Sequence, residues 1–171
     1  MKSELGILYL SEHNREVIER MLAANELVFE ELFCATPHVF VCADHPLAGR
    51  SSVTLEDLED YPFLSYEQGS YNSFYYSEEL TSTFERRKNI PRARSRDVVQ
   101  PGHGLNGYTV CTGIDNGDLN NEKIVTVPLD TDETMLVGWV TNERAKLSKA
   151  AETYIEKLKS VVADHGYKLI D

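Results

Sequence analysis

Strand-like and helix-like patterns alternate along this chain, and that alternation restricts its fold more than any other feature. Leu5–Leu10 is a short continuous apolar run, which predicts a buried strand. Val17, Ile18, Met21 and Leu22 then recur at helical spacing and predict an amphipathic helix from about Asn14 to Ala24, closed by Asn25. Leu27–Cys34 and His38–Ala43 flank Pro37, are rich in β-branched and aromatic residues, and predict two strands. Thr54-Leu55-Glu56-Asp57 resembles a capping box that opens a short helix to about Glu59. Tyr61–Tyr66 predicts a strand, Gln68–Asn72 a polar turn, and Ser73–Lys88 a helix that Pro91 ends. Ala93–Val99, Ile124–Val127 and Met135–Thr141 predict further strands, while Tyr108–Thr112 suits a strand or a helical turn. Ser148 caps a last helix whose apolar face is Ala151, Tyr154, Ile155, Leu158 and Val162. The alternation implies an α/β fold with a largely parallel sheet.

Composition narrows the function. The 171 residues are 42% hydrophobic and 26% charged, a globular balance that excludes global disorder. Lys plus Arg number 17 against 28 Asp plus Glu, a formal charge of −11. Binding DNA or an anionic membrane needs clustered positive charge, so such contact by this chain alone is not expected. No apolar run approaches the roughly 18 residues of a bilayer span. No small-residue cleavage site follows Leu5–Leu10, so a signal peptide is not expected. Three cysteines, Cys34, Cys42 and Cys111, read most simply as free thiols in a reducing cytoplasm.

The chemistry-bearing residues do not assemble into an enzyme signature. A cysteine hydrolase needs a thiolate, a histidine base and an orienting group. Cys34 and Cys42 fall in apolar strand-like runs, where an inert buried thiol is the default. Cys111 with His103 is the least implausible pair. For a metal, His38, Cys42, Asp44 and His45 lack ligand spacing. Gly102-His103-Gly104-Leu105-Asn106-Gly107 has the form G-x-G-x-x-G, without the preceding strand or following helix that a dinucleotide site requires. Arg86, Arg87, Lys88, Arg92, Arg94 and Arg96 form the one basic cluster, read as a solvated helix end in preference to a nucleic-acid contact. No catalysis, metal or cofactor is therefore expected.

The order of several segments resembles a known family. Ala43-Asp44-His45-Pro46-Leu47-Ala48, then Val53-Thr54-Leu55-Glu56-Asp57-Leu58, then Tyr61-Pro62-Phe63-Leu64 resemble the "HPLA" loop, "v-t-l-e-D-L" helix and "pfl" strand of the effector-binding domain of LysR-type transcriptional regulators. Val125-Thr126-Val127-Pro128-Leu129 resembles that family's "lvplp" strand, and Leu147-Ser148-Lys149-Ala150-Ala151 the opening of its final helix. Tyr66–Phe74 resembles a subgroup common in low-GC Gram-positive bacteria. The resemblance runs over about residues 4–163. Nothing in the chain resembles the family's N-terminal winged helix-turn-helix and linker helix, and the first strands of its first lobe have no counterpart, so a truncated, incomplete first lobe is expected.

The resemblance implies a two-lobed α/β domain like a type II periplasmic binding protein, with two hinge strands and a small molecule held in the cleft. Lobe I would comprise 1–62 and 133–171, and lobe II 63–132. The crossings would lie near Phe63–Tyr66 and Leu129–Leu136. Gln68, Gly69, Ser70, Asn72 and Ser73 would form an effector-binding turn at a helix N-terminus, where unpaired N–H groups favour an anion or polar acceptor. The same stretch serves equally as an ordinary cap and turn. Asp97 and Val98 would end a strand facing the cleft, although Asp97 also suits a turn. Tyr108 would close over a ligand or simply pack in the core. The "HPLA" histidine, here His45, would cap its loop. The implied function is sensing a small polar or anionic metabolite in a cytoplasmic homodimer, which strand exchange could form. DNA would be reached only through the helix-turn-helix domain. A stand-alone solute-binding protein is the alternative.

Overall fold

The structure, a computed structural model, describes residues 3–66, 89–92, 106–114 and 123–170. It divides into two compact units, residues 1–35 with 134–171, and residues 36–133.

The first unit is built on a three-stranded sheet. β1 (Leu5–Leu10) and β2 (Leu27–Ala35) lie on either side of β8 (Met135–Asn142), each antiparallel to it. β1 and β2 therefore run in the same direction, joined by α1 (Arg15–Ala24), but a strand from late in the chain separates them. The largely parallel sheet expected from the sequence is thus corrected: both three-stranded sheets are antiparallel. Local periodicity reports strand and helix and does not reveal which distant strand inserts between two neighbours.

α1 starts where the Asn14 side chain turns back to accept the Ser11 N–H at 2.8 Å. Its Ile18 and Leu22 pack on Leu10 and Val140, with Leu8, Phe29 and Leu136 around them. Burying each such side chain stabilises by roughly 1.5–3 kcal/mol. Glu26, just past the helix, takes the left-handed conformation (φ 56°) that ends many helices.

The helix α3 (Lys149–Asp164) is capped by Ser148, whose hydroxyl accepts the Ala151 N–H at 3.2 Å. The Glu4 carboxylate accepts the Ser148 hydroxyl at 2.8 Å and also its N–H, so β1 and the start of α3 are fastened together. The Lys159 amine sits 5.2 Å from the Trp139 ring centre. After α3 the chain returns to β2: Tyr167 packs on Phe33, and Ile170 N–H donates to the Leu32 carbonyl.

Three expectations here need correction. β1 is not a buried strand, since Gly6 and Ile7 are exposed on an edge strand. Cys34 is exposed. Tyr154 lies outside the buried stripe of α3, in which Ala151 and Val162 are the buried residues.

The second unit has a sheet in which β3 (His38–Cys42) lies between β6 (Thr109–Cys111) and β7 (Ile124–Pro128), antiparallel to both. Tyr108–Thr112 thus resolves as a strand. Val39, Val41 and Val127 pack with Leu47, Val53, Leu58, Phe63, Tyr108 and Leu129 into one core. The capping box is present: Thr54 Oγ1 accepts the Asp57 N–H, and the Asp57 carboxylate accepts the Thr54 N–H at 3.0 Å, opening α2 (Leu55–Leu58). The Thr54 N–H, with smaller help from Arg50 at 2.8 Å, holds the Asp57 carboxyl below its ordinary value.

β4 (Phe63–Tyr66) pairs in parallel with β5 (Asn89–Arg92), from Phe63 opposite Asn89 to Tyr66 opposite Arg92. Pro91 is therefore a strand residue and not simply a helix terminator. The helix expected over 73–88 and the strand over 93–99 lie outside the described residues.

Candidate functional site

The parallel pair β4–β5 is the natural place to look for a site. Ligands of open α/β sheets bind outside the carboxyl ends of the strands, where the connecting chain leaves the sheet. Because the two strands are parallel and in register, Tyr66 and Arg92 finish at the same end. Neighbouring strands are about 4.8 Å apart, so the two exits are adjacent. Gln68, Gly69, Ser70, Asn72 and Ser73 follow the first exit in sequence, and Asp97 and Val98 follow the second. Those seven candidates themselves lie outside the described residues.

The eighth, Tyr108, is described. Its ring is buried and meets Phe63 edge-on, with centroids 5.3 Å apart. Its backbone holds β4 on the side away from β5: Leu64 N–H donates to the Tyr108 carbonyl at 2.8 Å, and Tyr108 N–H donates to the Pro62 carbonyl at 3.1 Å. β4 is thus flanked by β5 on one side and by Tyr108 on the other. Gly107 permits this approach, since a Cβ there would come within 2.8 Å of the Leu64 side chain.

His45 supports this arrangement from below. Its ring is buried and rests on Tyr61, with centroids 4.5 Å apart. Leu47 N–H donates to Nδ1 at 3.1 Å, so Nδ1 carries a lone pair. Nε2 lies 3.2 Å from the Asn106 carbonyl and so carries the proton. These partners assign a neutral Nε2–H imidazole. Burial pushes its pKa below the ordinary histidine value, and outweighs the Asn106 carbonyl and Asp44, which favour the proton. The loop-capping role expected for His45 is what the geometry shows, and the histidine also reaches Asn106. That second contact spans 61 residues and had no signature in the sequence.

Of the other thiol and histidine candidates, His103, paired in the sequence reading with Cys111, lies outside the described residues. Burial, then Asp44, raises the Cys42 pKa and leaves it a poor nucleophile. His38 lies opposite Cys111 across β3–β6, and its Nδ1 is 3.0 Å from the Thr36 carbonyl. Among the described residues no three His, Cys, Asp or Glu side chains are placed to hold a metal ion.

Comparison with known proteins decides the family. The family model for the LysR substrate binding domain matches residues 4–100, more than half of the chain. The chain belongs to the LysR substrate-binding domain family. Solved structures agree on the fold. HinK, a LysR family transcriptional regulator from Pseudomonas aeruginosa, matches with a TM-score of 0.56 and 20% identity over 92% of this chain and 52% of its own. The effector binding domain of QuiR in complex with shikimate matches at 0.58 and 15%, over 96% and 74%. Full-length BenM, as a point mutant, matches at 0.62 and 16%, over 98% and 54%. The LysR-family chain therefore spans about half the length of HinK and of BenM. Its fold is the α/β, type II periplasmic-binding-protein-like fold of LysR effector-binding domains. No helix among the described residues is long and apolar enough to cross a membrane.

Proposed function

We propose that this chain is the small-molecule sensing domain of a LysR-type transcriptional regulator. It binds a small polar or anionic metabolite at the carboxyl end of β4–β5 and acts by binding, without catalysis. The observation that carries this reading is the parallel, in-register pair whose two exits lead into 68–73 and 97–98. β5 ends at Arg92, and Arg94 and Arg96 follow it in the sequence of an otherwise acidic chain. The lobes are proposed as 1–62 with 133–171, and 63–132, with Tyr108 as packed support beneath the ligand. Binding then shifts the population toward the arrangement with the higher affinity. In the full-length regulator that shift reaches DNA through a helix-turn-helix domain. The site of action is the cytoplasm. The family match supports effector sensing over a stand-alone solute-binding role.

The test is a thermal-shift screen of small carboxylates and other polar metabolites, with shikimate, which QuiR is seen to bind, as one member. A ligand at a hundred times its Kd stabilises by about 2.7 kcal/mol, or roughly 5–10 °C at this size. A hit should lose its shift when Ser70 and Asn72 are replaced by alanine. No shift across a broad screen would overturn the reading.

We also propose a homodimer. β1 borders the described three-stranded sheet with Gly6 and Ile7 exposed, and its sequence Leu-Gly-Ile-Leu-Tyr-Leu carries no charge or proline to discourage pairing with a second copy. Sedimentation equilibrium at micromolar concentration should return twice the chain mass; a single monomeric species would contradict it.

A further inference from the structure

Asn106 is followed by Gly107, and an asparagine before glycine is open to a reaction within the chain, because no Cβ on the next residue hinders it. Attack of the Gly107 nitrogen on the Asn106 side-chain carbon closes a five-membered ring, with both reactants already held together. A folded chain shuts such a site by bonding the nitrogen or the side chain.

Three other asparagines are shut in both ways. After Asn14, the Arg15 N–H donates to the Ser11 carbonyl at 3.0 Å, and the Asn14 side chain accepts the Ser11 N–H at 2.8 Å. After Asn25, the Glu26 N–H donates to the Ala23 carbonyl at 3.3 Å, and the Asn25 amide donates to the Met21 carbonyl at 2.8 Å. After Asn142, the Glu143 N–H donates to the Glu26 carbonyl at 3.0 Å, and the Asn142 side chain accepts the Arg144 N–H at 3.0 Å. Asn106 differs on both counts. It is exposed, and among the described residues neither its side-chain amide nor the Gly107 N–H forms a hydrogen bond. Its main-chain carbonyl does: it accepts the His45 Nε2–H at 3.2 Å. That bond lies on the same peptide whose nitrogen must lose a proton before it attacks, and a donor there favours the anionic form.

We propose that Asn106–Gly107 deamidates spontaneously in the folded chain, and that the change loosens β4 from its outer support. The Gly107 nitrogen loses its proton to solvent base and bonds to Asn106 Cγ. The Cγ–Nδ2 bond breaks, and the nitrogen takes up a proton and leaves as ammonia. Water then opens the cyclic imide at either carbonyl, so one ammonia is lost and one water gained. Opening at Cγ gives aspartate. Opening at the main-chain carbon gives isoaspartate: the carbonyl that His45 held becomes a free carboxylate, and the chain runs on through Cβ and Cγ.

The isoaspartate link is longer by one carbon where there is little room for it. Gly107 is buried against Leu64, and Tyr108 ties β4 through its bonds to Pro62 and Leu64. Both contacts follow directly after the lengthened link. The reaction needs no effector and proceeds whether or not 68–73 binds one.

Site-resolved mass spectrometry of the full chain, incubated in mildly alkaline buffer, tests this. Conversion at Asn106 should outrun that at Asn25 and Asn142 at least about tenfold, and should lie within about tenfold of its rate in the urea-unfolded chain. Fragmentation separates it from Asn116–Gly117, which lies outside the described residues. The converted fraction carries one more negative charge and is isolated by anion exchange. In it, amide hydrogen-exchange protection of Leu64 and Tyr108 should fall at least about tenfold relative to Val127 in the β3–β7 pair. Asn106→Gln must close a six-membered ring, so it should stay unconverted and protected through the same incubation. Conversion no faster than at Asn25 and Asn142, or held far below the unfolded rate, would overturn the site. Full protection of Leu64 and Tyr108 in the converted protein would overturn its effect on β4. The unaltered chain decides both points even if the variant does not fold, and a failed metabolite screen leaves each result standing.

Discussion

Gly138→Ala should destabilise the first unit by about 3 kcal/mol, at the upper end of the range for overpacked cores. Gly138 sits in the middle strand of that unit, and a Cβ there would lie 2.2 Å from the Glu30 carbonyl oxygen and 2.5 Å from the Phe29 ring. The ring can rotate away, but the carbonyl belongs to the β2 backbone that pairs with β8. Relief therefore requires β2 to move and lose ladder bonds. Adding Phe29→Ala should not rescue the variant, because it removes the softer of the two clashes and opens a gap beside Val140. The chain's single tryptophan, Trp139, is the next residue, so urea unfolding followed by its fluorescence reads this unit directly. An unchanged midpoint would show that β2 yields easily and that the close approach carries little energy.

Phe63→Ala should cost about 4 kcal/mol, within the range for emptying a buried aromatic site. Phe63 is 2% exposed and packs with Val39, Val53 and Leu58 as well as Tyr108. Removing it leaves a cavity at the start of β4 and takes away the edge-on ring contact of Tyr108. Phe63→Leu keeps most of the volume and should cost less than about 1.5 kcal/mol. Circular dichroism melts of both variants against the unaltered protein check the difference. Equal losses would mean that ring geometry, and not filled volume, is what this core requires.

Much of the local structure was legible in the sequence. α1, the two strands flanking Pro37, the Thr54–Asp57 capping box and the Ser148 cap each rest on signals within a few residues of one another, and each is present. What failed was information carried by distant pairing. The unbroken apolar run of β1 suggested burial on both faces, yet β1 is an edge strand. Tyr154 keeps helical spacing with the buried residues of α3 but falls at the margin of their stripe. The alternation of strands and helices suggested parallel neighbours because the place of β8 is set by contacts more than a hundred residues away. For the site, the family resemblance singled out His45 and Tyr108, whereas the bond that joins the His45 ring to Asn106 could be seen only in three dimensions.

The first unit is assembled from two separated stretches, and the ends of β2 and β8 face each other at Ala35 and Met135. Topologically the two strands are the arms of one long hairpin, and residues 36–133 are an insertion at its tip. A ribosome making this chain must release the whole insertion before β2 can meet its partner. The inserted segment is contiguous and free to fold first, and by doing so it shortens the loop that the hairpin must close.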